Sequence, residues 1–496
     1  MKKLVRALLV LAISFVGVFA LQKTTFAESV VVSDFDTFKS YCRNEGGEIK
    51  LGADITISGS NVFVKKELSL DLNGHTITAT NSGNTKYMLI VDGGTLTISD
   101  SSSDNSGLIT GTYNYFLRIG NSNPGTVIMN SGNISGDYGV HVVSGDFIMN
   151  GGKITASNTP VLAQGGNFTL NDGLIEASSG MGLRGYASTS TLTINGGTVR
   201  TLGDSFAVNS TNGTKIVING GTVEALYAGT TESAGANGVA VYKNGSLEVN
   251  GGIIHSASSA IISNGSIEEN NISSGTNAKF TITGGEIISD KHTAVYAPQF
   301  RGSTTISGGS LTGHDSAIEL RAGDLTITGG TFVATRETFD VENNTSGTTT
   351  KGAAIAIAQH TTTDEMNISI CGGTFRGAVA LAEVNPIANS PEDIAKITLL
   401  IDEPCGDLSF ETTSDTPIVS EDFTDFIKGG TFNHSVAPFI HSDYEERVRN
   451  GKFVVVNKNT PEDTDNNPNT YDNINFFIAL ALALLGFSSI IAFKKR

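Results

Sequence analysis

One phrase of apolar and polar positions recurs through the middle of the chain: apolar-x-apolar-Asn-Gly-Gly-x-apolar. Its clearest copies are Leu192-Thr-Ile-Asn-Gly-Gly-Thr-Val199 and Ile216-Val-Ile-Asn-Gly-Gly-Thr-Val223. With the second glycine as reference, copies fall at Gly132, Gly152, Gly173, Gly197, Gly221, Gly252, Gly285, Gly309, Gly330, Gly373 and Gly430. Steps of 20 to 24 residues dominate, and the step of 43 reads as two coils with one degenerate phrase. Three residues before the reference stand Met129, Leu170, Ile194, Val249 and their equivalents; two after it stand Ile134, Val199, Ile254 and Phe332. Neither column holds a polar residue. Apolar positions two apart predict strands with one buried face. A Gly-Gly step between them predicts a turn whose backbone angles favour glycine. A further short strand precedes most copies, as in Val140-His-Val142, Val239-Ala-Val241, Ala317–Leu320 and Ile355-Ala-Ile357. Units of this length with period-two strands and no helical pattern predict a β-solenoid. At about 23 residues per coil and about 4.8 Å per strand, the repeats make about seventeen coils and a rod of about 80 Å.

The stretch Leu70-Asp-Leu-Asn-Gly-His-Thr-Ile77, the Asn-Gly-Gly turns and the coil length resemble right-handed parallel β-helix proteins of the pectate-lyase-like superfamily. The resemblance covers most of the repeat region. It implies an all-β, right-handed, single-stranded parallel β-helix over 50–456. Family members stack Asn side chains at an inner bend. Here the column two before the reference glycine reads Asn130, Asn150, Asn171, Asn195, Asn219 and Asn250, then Thr283, Ser307, Thr328 and Cys371. These amides read as a structural ladder in which each satisfies the next.

The ends carry addresses. Residues 1–27 read as a secretory signal peptide: Lys2, Lys3 and Arg6, an apolar run from Ala7 to Leu21, then Thr25-Phe26-Ala27 as a cleavage site. Residues 28–49 form an N-terminal capping segment. Within it, Ser33 to Cys42 predicts a helix with apolar residues at 35, 38 and 42, stopped by Gly46-Gly47, that covers the first coil. Residues 457–470 are rich in Asn, Asp, Thr and Pro and predict a flexible linker. In 471–496, Phe476 to Phe493 is uncharged and long enough to cross a bilayer, and Lys494-Lys495-Arg496 places the following end in the cytoplasm. The order Asn467-Pro468-Asn469-Thr470-Tyr471, apolar span and basic tail resembles the cell-wall sorting signals of Gram-positive surface proteins. That resemblance implies a sortase as partner, attack at the Thr470 carbonyl and transfer to peptidoglycan. Tyr471 departs from the glycine usual there; without cleavage the chain is a single-pass membrane protein with its N-terminal domain outside.

Composition narrows the partners. The 496 residues carry a formal charge of −17, with 58 glycines, three cysteines and no tryptophan. The first 27 residues hold four basic residues; the last 26 hold three basic and one acidic, so 28–470 alone carries −23. That charge disfavours nucleic acid. Three cysteines exclude a disulfide-dense scaffold. Cys371, standing in the Asn column, reads as a buried thiol.

Candidate chemistry is thin. Enzymes on this scaffold align acids across neighbouring coils, whereas Asp137, Asp146, Asp204, Asp315 and Asp324 sit at different offsets. His314 and Asp315, with Glu319 and Arg321 nearby, make the most suggestive catalytic pair. Against it stands the reading of both as solvated turn residues. His75 reads as part of the scaffold phrase, and His141 and His255 share no column. No spacing calls for a metal or cofactor. Tyr113, Tyr115, Tyr138, Tyr186, Tyr227, Tyr242 and Tyr296 lie near bends and can stack on sugars or simply decorate the surface. The sequence therefore predicts a non-catalytic surface rod for adhesion or for binding a glycan or a host or neighbour-cell partner, held to the envelope by its C-terminus. A surface-anchored polysaccharide lyase or glycoside hydrolase is the alternative, and a spacer without ligand a third.

Overall fold

The computed structural model describes residues 29–461, apart from 59–60, 81–86, 113–114, 230–234, 265–276, 298–300, 343–349, 360–363 and 403–404. The signal peptide, the sorting-like motif Asn467-Pro468-Asn469-Thr470-Tyr471 and the apolar span 476–493 lie outside the described residues. Among the described residues no helix is long and apolar enough to cross a membrane.

The protein is all-β. Among the described residues forty-two strands join in one sheet whose pairings are parallel almost throughout, as in a β-helix-like solenoid. Three columns of register run along it. The first face passes through Glu67–Asp71, Thr95–Ser99 and Thr191–Ile194 to Ile397–Ile401. The second passes through Thr76–Thr80 and Thr198–Thr201 to Thr431–Phe432. The third passes through Val62–Val64, Tyr87–Val91, Tyr115–Ile119 and Leu183–Gly185 to Ile418–Ser420.

Period two explains each face. Thr191–Ile194 and Thr198–Thr201 both alternate half-buried and buried, which puts Leu192, Ile194 and Val199 fully inside. They pack on the equivalent residues of the coils above and below in one continuous core. Toward the C-terminal end the interior becomes aromatic. Phe332, Phe375, Phe410 and Phe432 stack with ring centroids 4.8, 4.9 and 4.4 Å apart.

The Asn-Gly-Gly turn has a use for each residue. Gly197 has φ of 68°, a region most side chains avoid. A Cβ on Gly196 would lie 2.3 Å from the Asn171 carbonyl oxygen of the preceding coil. The asparagine supplies the ladder: Asn195 Nδ2 donates to Asn171 Oδ1 at 2.8 Å, Asn219 to Asn195 at 2.8 Å, and Asn250 to Asn219 at 2.8 Å. Asn150 and Asn171 make the same bonds, and Thr283 Oγ1 ends the run on Asn250 Oδ1 at 2.9 Å. The ladder is exposed, not at an inner bend. Ile194 points in, so its neighbour Asn195 points out.

Two further expectations change. Cys371 is not a free thiol: it is bonded to Cys405 of the next coil, at the corner the amides occupy elsewhere. The step of 43 residues is one coil, not two. After Ser310–Gly313 and its partner segment 331–334, residues 335–342 leave the coil, and Thr350–Lys351 leads into Ala353–Ala358 on the third face. The solenoid therefore has fewer coils than seventeen.

The ends are closed. Asp34 caps the helix Phe35–Ser40 by accepting from Thr37 N at 2.9 Å, and Phe38 and Cys42 bury against the first coil. Burial pushes the Cys42 thiol up to about 12. At the other end Lys452–Asn457 pairs antiparallel with Thr431–Phe432 and with Tyr444–Arg449. That outer strand carries Glu445, Glu446, Arg447 and Arg449, charges that blunt an edge.

Candidate binding groove on the third face

The outer side of the third face gathers residues from successive coils. Strand register sets Tyr115 beside Tyr87, and His141 beside Arg118 on one side and Leu162 on the other; Leu162 is in turn beside Arg184. The register shifts after Gly136 and brings Tyr138 opposite Thr159. Tyr87, Tyr115, Tyr138, His141, Gln164 and Arg184, with Asn158, Thr159 and Leu162, line a cavity of about 550 Å³.

The rings meet. Tyr115 lies 4.9 Å from Tyr138, 4.9 Å from His141 and 6.1 Å from Tyr87 between centroids. His141 is buried and hydrogen-bonded on both ring nitrogens: Nδ1 is 3.0 Å from the Tyr87 hydroxyl, and Nε2 is 2.9 Å from Gln164 Oε1. With the Gln164 oxygen accepting from Nε2–H, Nδ1 is free to accept the Tyr87 proton, which is the arrangement of a neutral imidazole. Burial lowers the His141 pKa, the Gln164 bond opposes that, and the Arg118 charge adds to the lowering. Burial first, then Tyr138 and Tyr87, push the Tyr115 hydroxyl up to about 12.

Two guanidinium groups border the rings. Arg118 sits 5.0 Å from the Tyr87 centroid, and its Nε donates to the Gly120 carbonyl at 2.9 Å. Arg184 sits 5.0 Å from the Tyr186 ring, and its buried Nε has no hydrogen-bond partner among the described residues.

The residues singled out in the sequence scatter otherwise. Asp315 is buried, with Oδ2 3.3 Å from His292 Nδ1 and Oδ1 3.2 Å from Arg336. Its carbonyl accepts from Gly352 N at 2.7 Å. Asp315 thus holds both Arg336, where the chain leaves the coil, and Gly352, just before Ala353–Ala358. His314 faces outward, 3.2 Å from Thr335 Oγ1, so the two side chains diverge. Asp315 is therefore not a solvated turn residue. Glu319 and Arg321 form a buried pair at 2.7 Å, and Arg321 lies 5.0 Å from the Tyr296 ring. Asp137 takes a bond from Ser157, Asp146 from Asn167, and Asp324 from the Asn367 backbone. His75 meets Asp54 at 3.3 Å and His255 meets Asp290 at 2.9 Å, on different coils. Tyr242 packs on Phe206, Tyr186 and Tyr227 are exposed, and Tyr113 lies outside the described residues. Among the described residues no three His, Cys, Asp or Glu side chains come together as a metal site.

Sequence reasoning had Tyr115 and Tyr138 and dismissed His141; it passed over Tyr87, Arg118, Gln164 and Arg184. No family model, curated protein or solved structure matches the chain. The architecture accordingly rests on its own strand register.

Proposed function

We propose that this chain is a non-catalytic cell-surface protein, a right-handed single-stranded β-helix rod that binds glycans through the third-face groove. The observation that carries the reading is the gathering of Tyr87, Tyr115 and Tyr138 from successive coils around a doubly hydrogen-bonded His141. Aromatic faces cover the apolar C–H faces of sugars, and the flanking amides and hydroxyls serve their hydroxyls. Handedness follows from the rule that parallel strands joined by crossovers turn to the right. Display follows from the two ends of the sequence: export by 1–27, and retention by 471–496 as a membrane span or, after a sortase acts at Thr470, on peptidoglycan.

The test displays the full chain on cells and presents it to an array of oligosaccharides. Tyr115→Ala should lower retention at least tenfold with the chain still exported and folded. Unchanged retention removes the groove from the function. Protease accessibility of intact cells, and the mass of wall-released protein, test the placement and the Thr470–Tyr471 bond.

The reading as a surface-anchored polysaccharide lyase or hydrolase keeps one specific support, the buried Asp315 carboxylate between His292 and Arg336. Product release from a polysaccharide that disappears in Asp315→Asn, with the fold intact, would establish it.

A further inference from the structure

The groove differs in charge from the rest of the molecule. The chain carries −17, with 49 acidic residues against 32 basic. Yet none of the residues lining the cavity is a carboxylate, and the one full charge among them is Arg184. Arg118 borders it from the neighbouring coil, in register with His141. The nearest acid along the chain, Asp137, does not line the cavity and is engaged by Ser157 Oγ at 2.9 Å. Among the described residues neither arginine pairs with a carboxylate: Arg118 gives its Nε to a backbone carbonyl, and Arg184 lies against a tyrosine with Nε unbonded. Elsewhere the outward arginines of this fold do pair across coils, as Arg200 with Glu176 and Arg376 with Glu411. A guanidinium left without its acid, half-withdrawn from water beside stacked rings, fits a planar carboxylate brought by a ligand.

We propose that the ligand is a carboxylated sugar, with its carboxylate at Arg184 and its ring against Tyr115 and Tyr138. The inference rests on the glycan-binding reading and specifies its chemistry. A cavity of about 550 Å³ falls within the range of about 300–1,000 Å³ that takes compact organic ligands. Neutral His141 adds no competing charge and offers no second ion pair, so the preference for acid resides in the arginines. The shared chemistry has two sources, a uronic-acid polymer or a terminal sialic acid.

The experiment measures binding of the full chain, displayed on cells, to four probes: an oligogalacturonate, its methyl ester, a sialylated oligosaccharide and a neutral glucan oligomer. The acid should bind at least tenfold better than its ester, and the preference should weaken as salt is raised. Arg184→Gln should abolish the preference by bringing binding of the acid down to that of the ester in the same variant; Arg184→Lys should restore part of the preference. Whichever acid wins names the source. Equal binding of acid and ester, both lost in Tyr115→Ala, overturns this inference and leaves glycan binding standing. An acid preference that survives Arg184→Gln overturns the assignment to Arg184. No binding of any probe, by a chain whose melting is unchanged, overturns the inference and the glycan-binding reading together.

Discussion

The third face presents the same column of outward positions twice, and treats it in two ways. In the N-terminal half the registered residues are Arg118, His141, Leu162 and Arg184, and they border an open groove. In the C-terminal half they are Tyr296, Glu319, Ala356 and Ala382, and the last three are fully buried. What covers the alanines comes from the segment 335–342. Phe339 packs on Ala353, Ala356, Val379 and Ala382, and Asp340–Val341 pairs with Thr350–Lys351. One strand stack thus leaves an open groove where coils are short and makes a second small core where one coil is long. Side-chain size follows: long polar groups where water reaches, alanine where a segment lies on top.

The largest expected effect separates the halves at one register position. Ala382→Arg forces a cation beneath Phe339 and should cost about 3–5 kcal/mol. Leu162→Arg in the open half should stay within about 0.5 kcal/mol. Thermal unfolding of the two variants checks this, and equal losses would erase the distinction. Next comes the corner at Cys371. Cys405→Ser opens a bond spanning 34 residues and should cost about 2–4 kcal/mol, again read as a lowered melting temperature.

The two halves should also answer pH with opposite signs. Burial lowers the His141 pKa from 6.5, so the unfolded chain binds that proton more readily. Its contribution is complete above pH 6.5 and is lost as pH falls. Burial raises the Glu383 pKa above 4.5, even though Ser420 and the backbone of Glu421 and Asp422 donate to the carboxylate. Its contribution is complete below pH 4.5 and is lost as pH rises through the folded value. Melting curves between pH 4 and 8 should steepen less on the acid side in His141→Gln and less on the alkaline side in Glu383→Gln. The smallest effect belongs to the exposed ladder. Asn195→Ala removes two amide bonds that water competes for, and should cost about 0.5–1 kcal/mol.

The inner columns were legible because period two and an invariant turn mark them: Ile194, Gly197 and Val199 sit at fixed offsets in every copy. The groove was not. His141 and Leu162 lie 11 residues before their reference glycines, Asn209 lies 12, Arg184 13 and Arg118 14. Connections of unequal length hide a column that strand pairing makes straight. The Cys371–Cys405 bond was hidden for a similar reason, because the Cys405-Gly406-Asp407 turn lacks the second glycine that would have aligned it. His314 and Asp315 are adjacent in sequence and read as a pair, yet in the bend between Ser310–Gly313 and Ser316–Leu320 the ring turns to Thr335 and the carboxylate to His292 and Arg336.

The bond between Cys371 and Cys405 has a mechanical consequence. A stack of parallel strands resists sideways shear along its whole length, but a pull on one terminus strips it rung by rung, since each coil is held by its neighbour alone. Under tension from the C-terminal end, the hairpin Tyr444–Asn457 and the coil before it can unravel. The front then reaches a covalent link between two adjacent rungs, and the tension crosses that link without extending the loop it closes. The bond therefore shortens the length of chain that a given pull can release, and the groove lies many coils further from the pulled end.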